Sequence, residues 1–380
     1  MHALIIADNF FATRERAMLS RLEVGLADGG VRVTHAVPAS LGLPTNPDDA
    51  IGIQSTVVTY RDGGLPFTLR TRAAELAGTI ESRFDTPPPT VIDIIHAFGV
   101  GSWPIAVELA RRIGAGLLIE LWRPDLVAPA AGLLVSSARS KSVNMPEFIV
   151  SEGPIAAALR ELSPRAKCYS APWGVHAPAN ARPGRPADQP LAIAMLCDTG
   201  DPHFVTPALT GIVEATAGTD TLIFAAIDEP TPAREASLWA AARKLNLLDR
   251  FTIDPDMESR REPILDMDVL LLPEAGGRQR TLTLEAMGAG MLVLALADNN
   301  LETLIDGTTA RLVRPPTANA PPTSAAWSEA IRASVLNPAA ATDLSRAAHE
   351  HIRSNRPAST HVADVVRAYE QAARAPEAAE

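Results

Sequence analysis

The strongest candidate for chemistry is a short polar loop that leads into an apolar helix near residue 280. Arg278 and Arg280 carry positive charge, and Thr281, Leu282 and Thr283 follow where the helix is predicted to begin. Backbone N–H groups at a helix start have no partner within the helix, so they can bind an anion such as a diphosphate. Thr281 or Thr283 is equally a candidate N-cap residue. The two arginines are either anion ligands or solvated loop residues.

A carboxylate, Glu285, follows closely in the same predicted helix. An ionised carboxylate accepts hydrogen bonds without donating any, so this side chain suits a pair of neighbouring hydroxyl groups. The alternative is an ordinary helix carboxylate that the positive end of the helix dipole stabilises.

Further candidates follow other predicted strands. His96 comes at the end of the strand Val91–Ile95, where a neutral imidazole can bond a ligand hydroxyl or simply be a satisfied polar group. Arg14 can meet an anionic group, whereas Arg16 is more typical of a surface charge on the first helical turn. Three aromatic side chains can stack on a ligand ring or pack in the core: Trp103, Trp122 and Trp173.

The sequence contains no pattern typical of a metal centre. Cys168 and Cys197 have neither metal-ligand spacing nor the numbers of a disulfide framework. His349 and His351 are two apart on a predicted helix and therefore point in different directions. We expect no metal site and no cofactor.

Strands that alternate with helices are expected to position these residues. The chain opens with the strand Leu4–Ala7, a helix from about Thr13 and the strand Val31–Val37, and a similar alternation restarts at Leu191. The pattern predicts an α/β protein with two doubly wound, Rossmann-like parallel sheets. Ligands of such sheets lie beyond the carboxyl ends of the strands. Two sheets that face each other are therefore expected to form a central cleft for a ligand with two parts.

The division into domains follows from one Pro-rich segment. Residues 177–190 contain four prolines and no bulky apolar side chain, which is typical of a linker, and we place the linker at residues 179–190. We predict an N-terminal domain over residues 1–178 and a C-terminal domain over residues 191–356. Residues 357–380 are predicted to form a C-terminal helix, which can pack back on the N-terminal domain, and a frayed tail.

Composition excludes several functional classes. The formal net charge of −10 argues against a broad nucleic-acid-binding face, which needs clustered basic residues. No stretch approaches the roughly 20 apolar residues of a membrane span. The apolar run after Met1 is too short for a signal peptide, so we expect a cytoplasmic protein. A hydrophobic content of 47% allows each domain its own core.

The segment Leu271–Pro273, followed by Leu284–Val293, resembles the signature of family 4 glycosyltransferases, which have the GT-B fold. In that family a strand ends in Leu-Pro, and after a loop a helix opens with Leu-Glu-Ala-Met before a turn of small residues. The resemblance continues through Leu301–Gly307 and Arg311–Val313. Two earlier segments are also similar to the family pattern: Ile94–Ala97 and Pro172–Val175.

The resemblance implies a nucleotide-diphosphate sugar as donor, a carbohydrate or other hydroxyl compound as acceptor, and transfer with retained anomeric configuration. It implies that Glu285 binds the two ribose hydroxyls and that the loop 278–283 lies at the diphosphate. His96 would contact the sugar or the acceptor, and four residues are candidates for the acceptor side: Arg14, Trp103, Trp122 and Trp173. The nucleotide sugar is a substrate, and no dedicated metal site is usual in this fold.

Two departures from the family pattern lie at the donor end. Family members carry a Glu eight positions before the residue that Glu285 matches, and here that position is Gly277. Glu274 can replace it only if the loop is rearranged. The loop after the first C-domain strand usually supplies an Arg and a Lys, but Cys197–His203 contains neither and includes two aspartates. In the N-terminal loop, Asn9–Arg14 replaces the usual Gly-Gly turn.

These departures leave alternative functions open. A carboxylate beside a diphosphate repels it, most strongly in a dry site. The chain is therefore either an active transferase or an inactive glycosyltransferase-like protein that binds a glycan or another protein. The architecture also permits a nucleotide-sugar epimerase, for which the sequence has no motif.

Overall fold

The structure is a computed structural model that describes residues 1–41, 56–83, 92–139, 145–186, 188–228, 230–317 and 320–373. The chain divides into two compact units, one formed by Met1–Trp173 with Ala358–Glu380 and the other by Gly174–Pro357. The predicted frayed tail includes residues 374–380, which lie outside the described residues.

The described part of the first unit contains a parallel seven-stranded sheet. Its strands are β1 (His2–Ala7), β2 (Arg32–Pro38), β3 (Thr56–Tyr60), β4 (Ile94–Phe98), β5 (Gly116–Leu121), β6 (Glu147–Val150) and β7 (Cys168–Ser170). They lie in the order β3-β2-β1-β4-β5-β6-β7. The order reverses between β1 and β4, and such reversals are where open α/β sheets bind ligands.

The helices of the first unit include the last helix of the chain. They are α1 (Asn9–Thr13), α2 (Arg16–Asp28), α3 (Leu69–Ser82), α4 (Trp103–Ile113), α5 (Val127–Arg139), α6 (Gly153–Leu162) and α13 (Ala358–Ala373). α13 packs against α2 and the sheet. A Cβ atom on Gly25 of α2 would lie 2.5 Å from Val362, so the missing side chain allows this close approach.

The described part of the second unit contains a parallel six-stranded sheet. Its strands are β8 (Leu191–Cys197), β9 (Thr221–Ile227), β10 (Phe251–Ile253), β11 (Val269–Leu272), β12 (Leu292–Leu296) and β13 (Arg311–Val313). They lie in the order β10-β9-β8-β11-β12-β13, so this order reverses between β8 and β11. The prediction of two doubly wound parallel sheets is confirmed.

Six helices connect these strands or follow them in the described part of the second unit: α7 (Pro202–Ala215), α8 (Pro232–Lys244), α9 (Arg261–Leu265), α10 (Thr281–Ala289), α11 (Ser324–Ser334) and α12 (Pro338–Asn355). α7 and α11 pack closely, and Trp327 of α11 is fully buried. Across the described residues, no helix is both long enough and apolar enough to cross a bilayer.

Gly211→Ala tests the close packing of α7 on α11. A Cβ atom at residue 211 would lie 2.4 Å from the Cβ of Trp327 and 2.8 Å from the carbonyl oxygen of Ser324. We expect the substitution to lower the free energy of unfolding by roughly 1–3 kcal/mol in urea titrations, because the helices must move apart. Gly78→Ala in α3 is the control. It meets no atom within 4 Å and should stabilise by up to about 1 kcal/mol. Equal effects of the two substitutions would contradict the packing argument.

Candidate functional site

Acidic side chains cluster at the carboxyl edge of the second sheet. Asp198 follows β8, Asp228 follows β9, and Asp298 lies two residues after β12. Parallel strands end at the same edge, so these carboxylates come together around the loop 273–280 that joins β11 to α10. Asp298 accepts a hydrogen bond from the backbone N–H of Gly277 at 2.6 Å.

Arg280 contacts two of these aspartates, Asp198 and Asp228, and is only 5% exposed. Its guanidinium donates to Glu258 and Asp198, and Asp228 lies 3.3 Å from its Nη2. Arg278 forms ion pairs with Asp228 and, at 4.0 Å, with Asp198. Three carboxylates therefore share two guanidinium groups. We call this group of three carboxylates and two guanidinium groups the acidic cluster; its members are Asp198, Asp228, Glu258, Arg278 and Arg280.

Charge keeps Arg280 ionised inside this cluster. Burial alone would lower the pKa of the guanidinium, but the charges of Glu258 and Asp198 outweigh it and raise the pKa above its ordinary value. The two predicted anion ligands, Arg278 and Arg280, are thus not solvated loop residues. Each must give up a carboxylate partner before it can bind another anion. Sequence reasoning missed Asp228 and Glu258. An acid directly after β9 was the available signal for the first of them.

A second acidic contact lies at the reversal between β8 and β11. The Glu274 carboxylate accepts hydrogen bonds from the backbone N–H groups of Thr199, Gly200 and Asp201 at 3.0, 3.2 and 3.2 Å. The Thr199 hydroxyl donates to the same carboxylate. An internal anion therefore occupies the loop that follows the first strand of this sheet.

Helix α10 begins at Thr281, and its N-cap is Arg280 rather than the predicted Thr281 or Thr283. Arg280 has extended backbone angles and makes no side-chain cap, since its guanidinium is engaged by the acidic cluster. Leu282 and Thr283 are buried, so their side chains are not exposed to a ligand.

Glu285 lies in the first turns of α10, and its side chain is 11% exposed. Nη1 of Arg261 donates to the Glu285 carboxylate at 2.8 Å and to the Thr281 hydroxyl at 2.7 Å. Arg261 comes from the five-residue helix α9, which sequence reasoning missed because so short an element has no recognisable period. The carboxylate is thus held in place and kept partly accessible.

Gly277 occupies the position where the family pattern has a second Glu. Its φ is +64°, a region that favours glycine. At the preceding Gly276, a Cβ atom would lie 2.4 Å from the Asp198 carboxylate. The loop therefore packs tightly against Asp198 at residue 276, and a side chain at residue 277 would adopt strained backbone angles.

The structure corrects the expected position of His96. The predicted strand Val91–Ile95 is instead β4, so His96 lies inside the strand and is fully buried; Val91 itself is outside the described residues. Its Nδ1 lies 3.0 Å from the Tyr369 hydroxyl of α13, and its Nε2 lies 3.2 Å from Glu120 of β5. Both ring nitrogens are satisfied in the core, so the geometry does not support a contact with a sugar or acceptor.

The three candidate tryptophans are also buried, with Trp173 fully enclosed. Trp122 stacks on Phe10 at a centroid distance of 4.9 Å and on Trp173 at 6.1 Å. The indole N–H of Trp173 donates to Glu120 at 2.6 Å. Trp103 begins α4 and is likewise in the core. Because all three indole rings are buried, their faces are not presented to a sugar.

Asp8, which sequence reasoning missed, lies at the reversal between β1 and β4. Its carboxylate accepts from the backbone N–H groups of Phe11 and Gly101, both at 3.2 Å, and burial raises its pKa. A Cβ atom on Gly99 would lie 2.0 Å from this carboxylate. Arg14 is half-buried at the end of α1, the helix that Asp8 caps. The sequence signal for Asp8 was its position directly after the apolar strand β1.

Metal ligands do not converge in the described residues, where no group of three or more His, Cys, Asp or Glu side chains could hold an ion.

Comparisons with solved structures show the same two-unit architecture. A glycosyltransferase from Rickettsia africae is 13% identical, with a TM-score of 0.68 and 99% of each chain covered. Anabaena HepE, solved in complex with UDP-glucose, is 13% identical, with a TM-score of 0.69 over 98% of this chain and all of its own. Sucrose-phosphate synthase from Thermosynechococcus elongatus is 17% identical, with a TM-score of 0.67 over 98% of this chain and 99% of its own.

These likenesses identify the fold as GT-B and, at such low identity, show the fold alone. No protein-family model matches the chain, and no curated protein matches it in sequence.

Proposed function

We propose that this protein is a retaining glycosyltransferase that moves a sugar from a nucleotide-diphosphate sugar to a hydroxyl acceptor. The observation that carries the proposal is Glu285, a partly accessible carboxylate held by Arg261 at the start of a helix on the carboxyl edge of the second sheet. Retention of configuration, and membership of family 4, rest on the sequence resemblance. The GT-B fold supports the proposal as an analogy.

The chemistry follows from the groups at this edge. The ribose hydroxyls donate to the Glu285 carboxylate, while the diphosphate lies near the backbone N–H groups that open α10. In the transfer, the bond from the anomeric carbon to the diphosphate oxygen breaks, and the acceptor oxygen bonds to that carbon. The electron pair leaves with the diphosphate, and the acceptor proton is released. Arg278 and Arg280 stabilise the leaving charge once they exchange carboxylates for phosphate oxygens.

Glu285→Ala is expected to weaken binding of the nucleotide sugar at least roughly tenfold, because two charge-assisted hydrogen bonds to the ribose are lost. Calorimetry with UDP-, GDP- and ADP-sugars measures this effect. Glu329→Ala on the exposed face of α11 is the control and should leave affinity unchanged. An unchanged affinity of Glu285→Ala would contradict the ribose contact. No binding heat with any of the three sugars would contradict the proposed function.

A second candidate function is favoured by the acidic cluster. Three carboxylates surround two guanidinium groups, and Gly277 replaces the Glu of the family pattern. These features fit a glycosyltransferase-like protein that binds a glycan or a protein without catalysis. Release of a nucleoside diphosphate from the nucleotide sugar in the presence of a hydroxyl acceptor would rule this candidate out. Binding of a nucleotide sugar without release would favour it.

A further inference from the structure

The loop between β8 and α7 presents three successive backbone N–H groups to one point. Those of Thr199, Gly200 and Asp201 all lie within 3.2 Å of the Glu274 carboxylate. Gly200 has a φ of +68°, which turns the peptide units toward a common centre. Such convergent N–H groups form an anion-binding concavity. We call residues 199–201 the N–H cradle.

The occupant of the cradle comes from the chain itself. Glu274 belongs to the loop 273–280, whose following glycines, Gly276 and Gly277, carry no side chain. Its carboxylate accepts four hydrogen bonds, including one from the Thr199 hydroxyl. Hydrogen bonds to an ionised acceptor are stronger than those to a neutral one. The contact therefore ties two loops together at the strand-order reversal of the second sheet.

The bound carboxylate has the properties of an exchangeable ligand. Glu274 is half-buried, so water reaches its side chain, whereas the Arg280 guanidinium nearby is enclosed. No Lys or Arg lies between Asp198 and Pro202, so the N–H groups and the Thr199 hydroxyl supply the attraction for an anion. A phosphate oxygen offers these donors the same kind of acceptor with more negative charge.

We infer that Glu274 is an intramolecular competitor that occupies the N–H cradle and must leave before an anionic ligand, a phosphate or diphosphate group, can bind there. The inference rests on the proposed function for the identity of the ligand, and it adds a regulatory contact to that site. The cost of opening the contact lowers the apparent affinity for the anion, because only the open fraction can bind. The same displacement removes one of the contacts that hold the loop 273–280, which carries Arg278 and Arg280.

Glu274→Gln tests the competition, because it removes the charge and keeps the shape of the side chain. Inorganic pyrophosphate and UDP are titrated into the wild-type protein and the variant at constant ionic strength. We expect roughly tenfold tighter binding of both probes to the variant. Glu262→Gln, an exposed carboxylate on α9, is the matched control and should leave both affinities unchanged.

Hydrogen exchange adds a readout that does not depend on activity. Without ligand, the amides of residues 199–201 should exchange faster in Glu274→Gln than in the wild type, and pyrophosphate should slow them again. Equal or weaker pyrophosphate binding by the variant, or no binding by either protein, overturns the inference.

The outcomes separate the competition from the proposed function. Tighter pyrophosphate binding by Glu274→Gln without any nucleotide-sugar binding supports the competition and contradicts the transferase. If the wild type and Glu274→Gln bind pyrophosphate equally well, bind the nucleotide sugar equally well and turn it over, the competition is contradicted and the transferase is supported.

Discussion

Arg280→Met is expected to lower the free energy of unfolding of the second unit by about 3–5 kcal/mol, the range for leaving buried charges without their partner. The guanidinium contacts Asp198, Asp228 and Glu258, and Asp228 is fully buried. Met keeps much of the volume of the side chain but supplies no charge. Three carboxylates would then lose a shared positive charge, and their mutual repulsion adds to their desolvation. Urea unfolding followed by circular dichroism measures the loss.

A second substitution distinguishes charge from packing. Glu258→Gln in the Arg280→Met background should recover part of the stability, because one of the three carboxylates that lost the guanidinium no longer carries a charge. Arg346→Met is the control. It removes an exposed pair with Asp343 and should change stability by less than about 1 kcal/mol. A loss below about 1 kcal/mol for Arg280→Met, or no recovery in the double variant, would show that the acidic cluster is solvated or held by other cations.

The first unit is expected to lose on the order of 1–2 kcal/mol of stability between pH 6.5 and pH 8, because Glu120 is buried in its uncharged form. Burial raises the pKa of this carboxyl from 4.5 to about 8, although the hydrogen bond from Trp173 acts in the opposite direction. The protonated form is thus favoured by folding. Its contribution is complete below pH 4.5 and is lost as the pH rises through 8.

Three buried histidines of the first unit lower its stability as the pH falls. Burial lowers the pKa of His96 from 6.5 to about 3, and mainly burial lowers that of His361 to about 3. Burial likewise lowers the pKa of His2 to about 4. Their contribution is complete above pH 6.5 and is lost as the pH falls through these values. Because Glu120 lowers the stability of the first unit above pH 6.5 and the histidines lower it below that pH, the stability should be greatest near pH 6.5.

Glu120→Gln isolates the alkaline limb. The amide can still accept from Trp173 and bond to His96, but it does not titrate, so the loss between pH 6.5 and pH 8 should disappear. Glu161→Gln, an exposed carboxylate on α6, should leave the wild-type profile intact. Parallel pH profiles for the wild type and Glu120→Gln would contradict the assignment of a neutral, buried Glu120.

The sequence predicted the architecture well because most of the longer strands had a clear apolar run. Leu4–Ala7 and Leu191–Leu196 lie in β1 and β8, the strands beside the two order reversals. β10 was missed because it contains three residues, too few to show a period. The start of α2 at Arg16 was also imprecise, since the preceding turn forms the separate helix α1.

The side-chain pairing of the site could not be read from the sequence. The loop 278–283 and Glu285 were placed correctly at a helix start, because that signal is local. Which carboxylates would neutralise Arg280 depends on contacts across 22 to 82 positions, and these follow only from the strand order. His96 was misplaced because β4 extends to Phe98, and its partner Tyr369 lies 273 positions away in the sequence.

Hydrogen exchange of the wild-type protein tests most directly whether a nucleotide sugar binds at the start of α10. The probe is the UDP-, GDP- or ADP-sugar with the largest binding heat, at saturation. Binding there predicts slower exchange of the backbone amides of residues 281–285, with residues 103–113 of α4 as an internal reference. Unchanged exchange at residues 281–285, or slowing confined to other segments, would contradict the account.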